Sequence, residues 1–184
     1  VVLFYGSFAA TYQGHGTDVA IIGGLLDYQT DNPRIPRALE AAEESGMAIA
    51  FREGKGLFSH PNTAKLILSS GDGEDQEELT MTGVSIGGGN IEIIAIDGFT
   101  VRMSGNYPTI AVRHKDWTGI IASVSDVMRR HACNIAHMTV DRKARSGDAL
   151  TVLELDGDLD EALLRELSAL DNVEAIRQVD LSKG

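Results

Sequence analysis

The chain has 184 residues, enough for one or two compact domains, and its 43% hydrophobic but only 5% aromatic content suits an aliphatic α/β or α+β core. A formal net charge of -11 argues against the clustered Lys and Arg that phosphate-backbone binding needs, so nucleic acid is not an expected partner. No apolar run approaches the roughly 20 residues that span a bilayer, no secretory signal is visible, and the one cysteine, Cys133, excludes an internal disulfide and points to a reducing, cytoplasmic compartment.

In chain order, "VVLFYGSFA" at residues 1–9 is β-rich and predicts a buried strand. It begins without a methionine and reads as a strand already under way, so further residues are expected before it. "GHGTD" follows, and Thr17 or Asp18 is placed to N-cap a helix through "VAIIGGLLDY". Gly23 and Gly24 weaken that helix by about 1 kcal/mol each relative to alanine, and they permit a close helix contact. "DNPRIP" predicts a loop and "RALEAAEES" a helix, with Gly46 as its C′ residue.

"MAIAFRE" then predicts a strand. "HPNT", residues 60–63, breaks the chain before the strand-like "AKLILSS", and "GDGEDQEE" predicts an exposed acidic loop. "LTMTGVSI" and "NIEIIAI" are two further strands joined by Gly87, Gly88 and Gly89. Asp97-Gly98 signals a hairpin turn before "FTVRMS".

The pattern changes near Ser104. Strand "YPTIAVRHK", helix "GIIASVSDVMRRH", strand "NIAHMTVDRK", strand "ALTVLELD", helix "LDEALLRELSAL" and strand "VEAIRQVDL" give βαββαβ, the ferredoxin-like arrangement. Ile120, Ile121, Val124, Val127 and Met128 share one helix face, and Leu159, Leu163, Leu164, Leu167 and Leu170 share another. Asp158 and Glu161 form a capping pair at the second helix. The chain is therefore expected to hold two domains: an α/β domain over residues 1–104 and a ferredoxin-like domain over residues 105–184.

Four segments carry potential chemistry. Histidine moves protons near neutrality, which draws attention to His15 in "GHGTD" and His60 in "HPNT", although either also suits a turn. "SIGGGN" lacks the Lys-Ser/Thr of a phosphate-binding loop. It is either a plain glycine turn or a set of open N–H groups on which a small carboxylate can dock. In "HKDWTG", Gly119 allows close approach of a ligand or a neighbouring chain, and the helix start there favours an anion such as an amino-acid carboxylate. His114, His131 and His137 lack zinc-ligand spacing and are expected at the surface or in packing.

Taken together, "YGSFAATYQGHGTDVAIIGGLLD", "HPNTA", "GVSIGGGNIEI" and "SGNYPTIAVRHKDWTGIIASV" resemble, in order and over nearly the whole chain, the beta chain of bacterial iron-sulfur-dependent L-serine dehydratase. The resemblance implies a substrate-binding-type α/β domain followed by an ACT domain. It implies the conversion of L-serine to pyruvate and ammonia, carried out with an alpha subunit that holds a 4Fe-4S cluster. The cysteine count agrees, since a cluster needs three or four thiolates and this chain has one. No metal ligand is expected here. The resemblance also implies a "PSSSHT"-like segment upstream of the family's first strand, which is not among these 184 residues.

The resemblance further implies a catalytic or substrate-orienting role for His15. It implies substrate binding by Thr17, Asp18, His60, Asn62, Thr63, Gly87, Gly88 and Gly89. Asp116, Thr118 and Gly119 are expected at a regulatory ligand site or an interface, where an amino acid or a cation acts and a homodimer forms through the ACT domain. A rival is a non-catalytic regulatory module like that of D-3-phosphoglycerate dehydrogenase. No dinucleotide fingerprint supports a nucleotide-binding domain in this chain.

Overall fold

The first strand, β1 (Val2–Gly6), stops where Gly6 takes φ +59 and the chain turns into a short helix, α1 (Ser7–Thr11). The structure is a computed structural model, and it describes residues 1–56, 58, 60–71 and 76–179. A strand running on through residue 9 is thus not formed. The backbone of Pro61 lies so close that a Cβ on Gly6 would sit 2.4 Å from the Pro61 carbonyl oxygen.

Helix α2 (Thr17–Leu25) is capped by Gly16 at φ +67. Thr17 and Asp18 are therefore not caps but first-turn residues, where the Asp18 carboxylate accepts the Val19 N–H at 2.9 Å and suits the positive helix end. A 3-10 turn (Ile35–Arg37) leads into α3 (Ala38–Glu44). Gly23 is buried beside this segment, its missing Cβ 3.3 Å from Ile35, whereas Gly24 faces open space. The close helix contact thus uses only the first glycine. Gly46 ends α3 as expected: at φ +80 it donates to Glu43, and Met47 donates to Ala42, both at 2.9 Å.

Strand β2 (Phe51–Glu53) is shorter than the seven residues its composition suggests. Strands β3 (Asn62–Ser70) and β4 (Glu77–Gly87) follow in the first unit. β1 pairs parallel to β2 and antiparallel to β3, and β3 pairs antiparallel to β4. Within the expected acidic loop, residues 72–75 lie outside the described residues, and β4 has already begun at Glu77. The core joins Phe4, stacked on Tyr12 at 4.4 Å and on Phe51 at 6.0 Å, to a neighbouring cluster of Ile22, Ala38 and Ala42.

The chain packs as two compact units, Val1–Gly89 and Asn90–Lys183. The second opens with the hairpin β5 (Asn90–Ile96) and β6 (Phe99–Met103), whose turn residues Asp97 and Gly98 take φ 49 and 76, as a type I′ turn requires. Then come β7 (Thr109–Lys115), α4 (Ile120–Arg130), β8 (Asn134–Arg142), β9 (Asp148–Asp156), α5 (Glu161–Ser168) and β10 (Val173–Val179). The last four strands form an antiparallel sheet in the order β10-β7-β9-β8, which is the ferredoxin-like arrangement.

Helices α4 and α5 cover one face of that sheet. Val124, Val127, Met128, Leu163 and Leu167 close on Ile110, Val112, Leu153 and Leu155. Full burial of one such side chain contributes about 1.5–3 kcal/mol, so this layer outweighs any single cap. The cap of α5 is Asp160, which accepts the Leu163 N–H at 2.5 Å; the expected Asp158–Glu161 pairing does not supply it.

Glu154 alternates with Leu153 and Leu155 and so points to the other face. There it accepts both the N–H and the hydroxyl of Ser104, at 2.6 and 2.7 Å. Thr100 donates its N–H to Asp141 at 2.6 Å, and the Lys143 ammonium lies 4.6 Å over the Phe99 ring. The β5–β6 hairpin, expected in the first domain, falls here in the second unit. No helix among the described residues is long and apolar enough to cross a membrane.

The Gly6 geometry yields a prediction. Gly6→Ala meets backbone on one side and an unfavourable φ on the other, and is expected to cost about 3 kcal/mol or more. Gly46→Ala, with positive φ but open space, is expected to cost about 1 kcal/mol. Urea unfolding of the two variants checks the order, and equal losses would contradict it.

Candidate functional site

Strand register places His60, Asn62, Thr63 and Gly87 at one end of the first unit's sheet. Gly6, the last residue of β1, pairs with Asn62, the first of β3, and Thr63 pairs with Val84 of β4. Because these pairings are antiparallel, the end of β1, the start of β3 and the end of β4 share one rim. β2 runs parallel to β1 and finishes at the same end.

At this rim the "HPNT" turn braces itself. Thr63 is fully buried and donates its hydroxyl to the His60 carbonyl at 2.6 Å. The Asn62 N–H donates to His60 Nδ1 at 3.2 Å, which leaves the ring proton on Nε2. The Ser7 hydroxyl donates to Asn62 Oδ1, with the Pro61 carbonyl a longer alternative at 3.5 Å. Thus His60, Asn62 and Thr63 come together, and Ser7 joins them. Sequence reasoning misses Ser7 because β-rich neighbours on both sides absorb it into a strand. The adjacent Gly6-Ser7, a turn pair, is the signal that could have found it.

His15 lies on the turn between α1 and α2. That turn is held by hydrogen bonds from the His15 N–H to Thr11 at 3.1 Å and from the Thr17 N–H to Tyr12 at 2.8 Å. Its side chain is exposed. Thr17 and Asp18 follow at the helix start. Gly87 ends β4 and Gly88 and Gly89 form the turn after it, at φ 91, 62 and 78, so backbone conformation alone calls for glycine at all three.

The second unit places Asp116, Thr118 and Gly119 at the start of α4. The Asp116 carboxylate is taken by Arg142 at 2.7 Å and by the Ser146 N–H at 3.1 Å. These bonds, Arg142's first, hold its carboxyl below the usual aspartate range. Gly119 caps α4 at φ +91, and a Cβ there would meet nothing within 4 Å of this chain. Within the chain, conformation rather than crowding demands glycine. Thr118 and Gly119 line a surface pocket of about 280 Å³ with Trp117, Ser123, Leu170 and Asn172.

Of the remaining histidines, His114 is buried between the Lys115 carbonyl and the Thr151 hydroxyl, at 2.7 and 2.8 Å, and His131 bonds Glu166 at 2.6 Å. His137 is exposed. Among the described residues no group of three or more His, Cys, Asp or Glu is placed to hold a metal. Burial pushes the half-buried Cys133 thiol up, away from the thiolate a metal would need.

The fold defines a two-unit chain: an α/β unit with a polar rim, followed by a unit of ferredoxin-like arrangement. No family model matches the chain. It is 48% identical over 97% of its length to the "Probable L-serine dehydratase, beta chain" of Bacillus subtilis, and covers 80% of that protein. It is 30% identical over 96% of its length to the "L-serine dehydratase, beta chain" of Peptoniphilus asaccharolyticus, covering 79% of it. A D-3-phosphoglycerate dehydrogenase of Bacillus subtilis is 25% identical over 88% of the chain, which covers only 30% of that enzyme. The chain belongs to the L-serine dehydratase beta-chain family.

Asp116 gives a pH prediction. A carboxyl depressed in the folded state stabilises it above the unfolded value, near pH 4, and that contribution is lost as pH falls through the folded value. The wild-type protein should therefore lead Asp116→Asn in urea midpoint from neutral pH down to about pH 4, and the gap should close below that. A gap independent of pH would contradict it.

Proposed function

We propose that this chain is the beta subunit of an L-serine dehydratase and that, with an iron-sulfur alpha subunit, it deaminates L-serine to pyruvate and ammonia in the cytoplasm. One observation carries the reading: 48% identity to a named beta chain over 97% of the length. The dehydrogenase likeness is weaker and spans under a third of that enzyme, so the regulatory-module reading comes second.

The residues present do not fit a 4Fe-4S cluster. One half-buried thiol stands where three or four thiolates are needed, so the cluster is assigned to the alpha subunit. What remains for this chain is to bind, orient and exchange protons. In this reading His15, exposed on its turn, faces the alpha subunit and exchanges a proton with the substrate or orients it. Thr17 and Asp18 border it. His60 and Asn62 offer donors at the rim, Thr63 holds the turn that carries them, and Gly87, Gly88 and Gly89 admit close backbone approach.

Residues 105–184 are read as an ACT domain. It would pair with a second copy through an open sheet edge and take an amino-acid or cation effector beside Asp116, Thr118 and Gly119. In support, β8 is an edge strand, and its Met138 and Val140 are exposed.

The purified chain alone should not turn over L-serine, while co-expression with a cysteine-rich alpha chain should yield pyruvate. In that complex His15→Ala should lower kcat by about 10²–10⁴-fold with little loss of stability. Wild-type turnover by the variant would remove His15 from the mechanism. For the edge, Val140→Lys should shift the full chain toward monomer in sedimentation, and an unchanged oligomer would place the contact elsewhere.

A further inference from the structure

We infer that Ser7 is a positioning residue: it fixes the Asn62 side-chain amide so that its N–H groups, with His60 Nε2–H, recognise the carboxylate of the amino-acid substrate. This rests on the proposed function and deepens it. An asparagine amide can present either its oxygen or its nitrogen to a ligand, and what holds the other end decides which. The Ser7 hydroxyl donates to Asn62 Oδ1. The oxygen is thereby occupied and the two N–H groups are turned to the other side, where no acceptor among the described residues meets them.

The neighbouring groups agree in sign. His60 Nδ1 is filled by the Asn62 N–H, so the ring offers a donor at Nε2. The Thr63 hydroxyl has spent its proton on the His60 carbonyl. Asn62 and His60, two residues apart on one turn, therefore each have a donor to offer, which suits an acceptor-only anion and not the ammonium group of the same substrate. The arrangement is fixed by backbone: Gly6 pairs with Asn62 in register, and no side chain fits between Gly6 and Pro61.

The test uses the reconstituted two-subunit enzyme, with L-alanine and L-alaninamide as inhibitors that differ only in the carboxylate. Ser7→Ala should raise the KM for L-serine and the Ki of L-alanine about tenfold, with the Ki of L-alaninamide nearly unchanged. Ser7→Thr, which keeps the hydroxyl, should restore both. Adding Ser7→Ala to Asn62→Ala should cost nothing further, because the two act as one unit.

A purely structural Ser7 would weaken both inhibitors alike, and that result would overturn the inference while leaving serine turnover in place. Should Ser7→Ala not fold, Asn62→Asp takes over. It removes the N–H donors and adds a repelling charge, and an unchanged KM there would also overturn the inference. If the wild-type complex makes no pyruvate from serine, the proposed function fails first and the inference with it.

Discussion

The approach of the Pro61 backbone to Gly6 sets the geometry on which the rest of the first unit depends. With the missing Cβ only 2.4 Å from a carbonyl oxygen, β1 must end there, and α1 must leave in the direction that Gly6 allows. That exit brings Ser7 onto Asn62 and sends the chain toward the turn bearing His15. It also places Tyr12 over Phe4, so the aromatic core and the polar rim are set by the same bend. A rim built from strand ends has a rigid base, because each of its residues is one or two positions from a paired strand residue.

The second unit solves a different problem. A four-stranded sheet has two faces, and its helices cover only one. The β5–β6 hairpin answers for the other, through a carboxylate that accepts two donors from Ser104 and another that accepts the Thr100 N–H. Glu154 is only 4% exposed, and a carboxylate so buried is tolerated because both donors reach it.

Local signals in the sequence carry much of the fold. The repeat of apolar residues along α4 and α5, the Asp97-Gly98 turn and Gly46 all depend on neighbours a few residues away, and each stands where expected. The early end of β1 depends on a distant residue. Nothing near Gly6 announces Pro61, which lies 55 positions further on, and without it "VVLFYGSFA" is a reasonable strand. Gly16 displaced Thr17 and Asp18 as the cap because the turn before α2 needed positive φ. Asp160 displaced Asp158 because the helix begins later than its leucines suggest. Of the candidate site, His60, Asn62 and Thr63 were legible as a motif, whereas Ser7 became visible only through register.

The bonds from Ser104 to Glu154 mean that residues 104–108 are not a hinge. Leu150 and Val152 share the Glu154 face of β9 and are almost wholly buried. A fragment cut to begin after Ser104 would bare that apolar strip and strand a carboxylate beside it. Such a piece would be sticky in solution whatever its native partners are. A fragment carrying the ferredoxin-like sheet should therefore take its preceding β5–β6 hairpin with it.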